Sequence, residues 1–152
     1  MRKSVLLLVV LSIAAGTVMA QKSASSSSTE KEISSVLQQQ VAAWNSHDLV
    51  GFMAGYWKSP DLTFFSGATE TKGWEPTLDR YRQRYQANGA AMGKLEFSNL
   101  NVEQLCPNAA FVRGQWQLTM PDGKQSHGLF TLEFRKLPEG WRIVHDHSSG
   151  EN

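Results

Sequence analysis

From Glu30 onward the chain moves between two hydrophobic periods. Ile33, Val36, Leu37, Val41 and Trp44 recur at helical intervals, so the spacing predicts a first helix over Glu30 to Ser46, opened by a Thr29/Glu32 capping box. Asp48 can cap a short second helix carrying Leu49, Phe52, Met53 and Tyr56, which Ser59-Pro60 stops. Asp61 to Gly67 then reads as a short strand followed by a turn. A third helix starts at Trp74, with Leu78, Tyr81 and Tyr85 on one side, Arg80, Arg82 and Arg84 around them, and Asn88-Gly89 at its end.

Beyond that the period is two. Leu95 and Phe97 share one parity and Leu100 and Val102 the other, so Ser98-Asn99 should hold a bulge that bends the strand. Val112, Gly114, Trp116, Leu118 and Met120 alternate with Arg113, Gln115, Gln117 and Thr119. Gly128, Phe130, Leu132 and Phe134 alternate with His127, Leu129, Thr131, Glu133 and Arg135. Turns at Pro121-Asp122-Gly123 and Pro138-Glu139-Gly140 join these strands to a last one, Gly140 to Ser148. The expected order is α-α-β-α-β-β-β-β. Leading helices followed by an antiparallel meander imply an α+β fold, with the helices packed on a curved, mainly antiparallel sheet.

The last strand mixes its faces. Regular alternation puts Trp141, Ile143, His145 and His147 on one side and Arg142, Val144, Asp146 and Ser148 on the other. Apolar and titratable groups on both faces fit a central strand curled round a partly polar cavity, which His145 should reach.

Composition narrows the rest. Arg2 and Lys3, the apolar run Val5 to Ala15 and the small residues Val18 and Ala20 predict a signal peptide over residues 1–20, cleaved before Gln21. The run is short of the ~20 apolar residues that span a bilayer. A Ser-rich tether over 21–29 should precede a domain over 30–149, and the product should be periplasmic or secreted, with no membrane attachment after cleavage. Losing Arg2 and Lys3 leaves 13 Lys and Arg against 14 acids, a net of −1, with cations scattered among the acids; nucleic acid is not an expected partner. Cys106 is the one cysteine. It allows no internal disulfide and reads as a small buried hydrophobe.

The candidate chemistry is modest. His145, His127 and Asp61 are the candidate catalytic groups, since an imidazole or carboxylate can work as an acid or base. His145 and His147 with His127 or Asp61 would be three metal ligands, but no helical His pair or Cys pair supports this, and neither metal nor cofactor is expected. Trp44, Tyr56, Phe65, Tyr81 and Trp116, with Arg113, Gln117 and His145 as polar members, suit an apolar cup for a small ligand with one polar end. Arg80 and Arg84 read as a solvated helix face, with anion binding a minor alternative.

Val41 to Leu49, Asp61 to Phe65 with Gly73 soon after, and Gly140 to Ser148 together resemble the SnoaL-like branch of the nuclear transport factor 2-like superfamily. The last strand is also similar to the association domain of calcium/calmodulin-dependent kinases. The resemblance implies a cone with a pocket between helices and sheet, and a homodimer paired through the sheet. It further implies that positions used by steroid isomerases for an oxyanion donor and a general base hold Gln40 and Ser66 here. Ser66 cannot abstract a proton unaided, so that isomerase is not expected. Three functions follow as expectations: an exported small-molecule-binding protein, a cofactor-independent isomerase, cyclase or dehydratase with a His or Asp base, and a homo-oligomeric association module.

Overall fold

The computed structural model describes residues 14–87 and 91–150, with side chains from residue 28 onward. The helices are α1 (Ala14–Asn45), α2 (Leu49–Met53) and α3 (Trp74–Tyr85), and the strands are β1 (Thr63–Ser66), β2 (Thr69–Lys72), β3 (Lys94–Cys106), β4 (Ala109–Thr119), β5 (Gln125–Leu137) and β6 (Gly140–Ser148). One six-stranded sheet runs β2-β1-β6-β5-β4-β3, antiparallel throughout except where β1 lies parallel to β6. The last strand is therefore central, and the α+β cone expected from the sequence is present.

Helix α1 begins well upstream of Glu30. Its docked C-terminal half fixes the first turns, and propagation back through the serines adds one hydrogen bond per residue ordered. The segment expected to be a tether is thus helical, and Thr29 is a buried helical residue instead of a cap. Most of the expected signal sequence, residues 1–13, lies outside the described residues, as does the expected Asn88-Gly89 helix end. Among the described residues no helix is long and apolar enough to cross a membrane.

The buried stripe of α1 is Ile33, Leu37, Gln40 and Trp44, on a spacing of four, three and four. Its end is locked to β3. Asn45 Nδ2 donates to Leu95 O at 3.1 Å while Leu95 N donates to Asn45 Oδ1 at 2.8 Å, so the side chain imitates a strand partner; Trp44 Nε1 donates to Gly93 O at 3.2 Å. His47, at φ 62, then turns the chain, and Asp48 caps α2 through Gly51 N at 2.8 Å.

Two bulges shape the cone. In β3, Asn99 and Leu100 stand opposite the single Gly114 of β4, and Asn99 has φ 51; this is the bend expected from the parity change. In β6, Glu133 pairs with His145 and Phe134 with Ile143, so Val144 is an extra residue without a partner on β5. This second bulge was not expected, and it overturns the alternation assumed for the strand. Trp141 and Ile143 face the core, and beyond Val144 the inward residues are Asp146 and Ser148 while His145 and His147 face out.

Three smaller differences remain. The turn after β1 is a hairpin to β2, whose four residues are polar and mostly exposed. Cys106 is exposed at the end of edge strand β3, where its thiol contacts Asn108 Oδ1 at 2.9 Å; the position beside the β3–β4 turn leaves nothing to bury it. Most of the large apolar residues of β4 and β5 face the helices, so the outer sheet face is mainly polar, with Phe111, Leu137 and the 58% exposed Leu129 as its apolar members.

Candidate functional site

Between the helices and the inner sheet face lies a cavity of about 130 Å³. Its wall is largely aromatic. Trp44 meets Phe52, Tyr81 and Tyr85 edge to face with ring centres 4.8–5.9 Å apart, and Phe64 stacks on Tyr81 at 5.6 Å. These contacts hold the rings in fixed orientations around the space.

A carboxylate sits in this apolar wall. Asp146, 4% exposed, accepts a hydrogen bond from the Tyr56 hydroxyl at Oδ2 (2.7 Å) and from the Ser148 hydroxyl at Oδ1 (2.8 Å). Burial raises its pKa to about 6, against the opposing effects of the two hydroxyls and the nearby His147. Tyr56 is held well above its ordinary range, first by burial and then by the adjoining Asp146 charge. Tyr81, a hydrogen-bonding neighbour of Tyr56, is raised for the same reasons, and Tyr85 is raised by burial. Both phenols next to Asp146 therefore stay protonated, as donors, across the physiological range.

The other polar groups enter from both sides. Gln40 donates to Phe52 O at 3.0 Å from within the buried stripe of α1, and its amide fills the space a side chain at Gly55 would need, the nearest approach being 2.6 Å. Ser66 lines the cavity from the inward parity of β1. Gln40 and Ser66 thus both border the cavity, but one of the two N–H donors of Gln40 is already engaged.

The groups named from the sequence divide between two faces. Trp44, Tyr56, Tyr81 and Trp116 line the cavity. Phe65, Arg113, Gln117 and His145 do not. Phe65 is on the outward parity of β1, where its ring meets His145 at 4.9 Å, and the inward neighbour Phe64 takes the place expected for it. Arg113 is on the outward parity of β4, paired with Glu103 Oε2 at 2.8 Å and Asn101 Oδ1 at 3.0 Å.

His145 lies outside because of the Val144 bulge. Its Nδ1 is 2.6 Å from Thr63 Oγ1, in a shallow outer depression that also includes Asp61 and Glu133. Asp61 itself pairs with Lys72 at 3.3 Å. His127 and Gln117 border a separate outer depression beneath the C-terminal segment. No group of three or more His, Cys, Asp or Glu side chains gathers to hold a metal among the described residues. Asp146, which regular alternation set on the face opposite His145, is the carboxylate that the fold places in the cavity.

A family model described as a SnoaL-like domain matches residues 33–150. The chain belongs to the SnoaL-like family. Among solved structures, this SnoaL-like chain is similar to a nuclear transport factor 2-like protein of unknown function from Shewanella oneidensis, at 34% identity over 79% of this chain and 98% of the other, with a TM-score of 0.74. A ketosteroid isomerase-like protein from Erwinia carotovora matches at 18% identity over 80% of this chain and 95% of the other, TM-score 0.65. A nuclear transport factor 2-like superfamily protein from Salmonella enterica matches at 20% identity over 83% and 93%, TM-score 0.63. The last two matches speak for the fold alone. Among curated proteins, none matches.

Proposed function

We propose that the cone cavity captures a small, largely apolar molecule and that Asp146 receives its polar end. The carrying observation is a carboxylate 4% exposed inside an aromatic wall, a costly placement for a residue with no ion-pair partner among the described residues. The cavity volume limits the buried part of the ligand to about one ring, since an apolar cavity of ~150 Å³ admits benzene. Ser66→Leu, at the cavity wall, should abolish fragment-induced thermal shifts that the native chain shows. A native chain that responds to no fragment in a broad aromatic and unsaturated set would sink the reading.

A second reading, cofactor-independent proton transfer, is favoured by the elevated pKa of Asp146. A carboxylate that ionises near pH 6 is a stronger base than an ordinary one and is still largely ionised at pH 7. It would take a proton from a carbon next to a carbonyl and later return it. Ligand oxygen charge would meet the phenol hydrogens of Tyr56 or Tyr81. Loss of C–H signal from a bound carbonyl compound in D₂O, absent in Asp146→Asn, is the test.

Export and pairing complete the proposal. Cleavage before Gln21 would fall within α1 but upstream of Thr29, the first buried side chain described, so the core would be untouched; intact mass of secreted protein showing Met1 retained would refute it. Two copies would meet through the outer sheet face around Leu129. Light scattering should give twice the monomer mass, reduced to the monomer by Leu129→Glu.

A further inference from the structure

Helix α3 carries three arginines at alternate positions, and they do not behave alike. Arg82 turns from the cavity and pairs with Asp79 Oδ1 at 3.2 Å, within its own helix. Arg80 and Arg84, one helical turn apart on the side that bears Tyr81 and Tyr85, both line the cavity. Arg80 lies 5.2 Å from the centre of the Phe64 ring, and its hydrogen bond goes to a neutral hydroxyl, Thr71 Oγ1, at 2.9 Å. Arg84 lies 5.5 Å from the centre of Tyr85 and is exposed. Among the described residues neither has a carboxylate partner, although the chain's acids pair with Lys72, Arg82, Lys94, Arg113, Lys124 and Lys136 elsewhere.

Two guanidinium groups held over aromatic rings at the wall of a cavity, with no carboxylate partner among the described residues, form a receptor for a planar anion. Asp146 lines the same cavity, where it repels an anion and accepts from a proton donor. Phe64 adjoins both groups: its backbone pairs with Asp146 across β1 and β6, while its ring lies beneath Arg80. The cavity wall is thus cationic at α3 and acidic at β6.

We infer that the ligand is a small aromatic or unsaturated carboxylate, bound with its carboxylate on Arg80 and Arg84, its ring against Phe64 and Tyr81, and a distal hydroxyl or acidic C–H at Asp146. This rests on the cavity being a ligand site and adds the chemical class and direction of what enters it. The aromatic faces already under the guanidinium groups keep them in place, so little side-chain freedom is lost when the anion arrives.

The test compares 4-hydroxybenzoate with 4-hydroxybenzamide, which matches it in shape but lacks the charge, by calorimetry on the full chain at low salt. The acid should bind at least about tenfold more tightly, since charge-assisted, bidentate hydrogen bonds are roughly twice as strong as neutral ones. Arg80→Gln and Arg84→Gln should each reduce acid affinity severalfold and together remove the preference, with amide affinity unchanged. Arg82→Gln should alter neither. Raising salt should weaken the acid and spare the amide, most strongly through exposed Arg84. Equal affinity for acid and amide, or a preference that survives the double variant, overturns this inference and leaves the cavity reading standing. If neither compound nor any other one-ring probe binds, both fall together.

Discussion

Replacing Asp146 with Asn should make the protein more stable at neutral pH, and the gain should vanish in acid. The carboxyl ionises at about 6 in the fold against an ordinary 3.8. A rise of roughly two pH units means that holding the ionised form in the folded chain costs about 3 kcal/mol. The direction follows from proton counting. Between pH 4 and 6 the folded state binds more protons than the unfolded, so stability falls as pH rises through this window and is flat above it. Asn carries no charge to desolvate. It can still accept from Tyr56 or Ser148, but its amino group faces a hydroxyl that must rotate to accept, a loss of about 1 kcal/mol. The net expectation is a gain of about 2 kcal/mol at pH 8, or about 4–8 °C in Tm for a domain of this size. At pH 4 Asp146 is neutral in the fold, so the two proteins should melt together or the variant slightly lower. Thermal unfolding by circular dichroism at both pH values measures the difference directly. A variant with equal or lower Tm at pH 8, and no pH-dependent difference, would show that Asp146 is an ordinary satisfied carboxylate and would remove the support for its role as a base.

Tyr56→Phe deletes the 2.7 Å donor to Asp146 and should cost about 1–3 kcal/mol; because that hydroxyl favours the ionised carboxylate, the Asp146 titration should move upward, as read by carboxyl NMR. His145→Ala should leave ligand affinity unchanged, since the ring lies on the outer face, and should cost under about 1 kcal/mol for the lost Thr63 contact; a large loss of binding would contradict the assignment of faces. Gly128→Ala places a methyl group on the Ser149 carbonyl oxygen and should displace the C-terminal segment, breaking the 2.9 Å bond from Trp116 Nε1 to that oxygen. Red-shifted tryptophan emission is the expected sign, and an unchanged spectrum and Tm would count against it.

The two bulges show which parts of the fold could be read in the sequence. The bend in β3 was legible because apolar residues mark both sides of it: Leu95 and Phe97 before, Leu100 and Val102 after, on opposite parities. The one in β6 was not, because the extra residue, Val144, is itself apolar and the residues beyond it are titratable whichever way they point. That one ambiguity moved His145 out and Asp146 in. Gln40 was within reach, since it continues the spacing of Ile33, Leu37 and Trp44 and is the polar member of that stripe. Strand β2 left no alternating signal, being polar on both faces and at the sheet edge. Arg113 and Gln117 were separable from the cavity by parity alone, because the expected pattern already put them opposite Trp116.

The extra residue at Val144 has a consequence for how this pocket could evolve. The strand encodes two reagents, imidazoles at His145 and His147 and a carboxylate at Asp146, and the backbone irregularity selects which of them the interior contains. Straightening the strand at that point, with no substitution at any of the three, would turn the imidazoles inward and the carboxylate outward, since side chains alternate strictly along a regular strand. Heritable change in the chemistry of the site could therefore arise from mutations that alter only how β6 lies on β5, in residues that never touch a ligand.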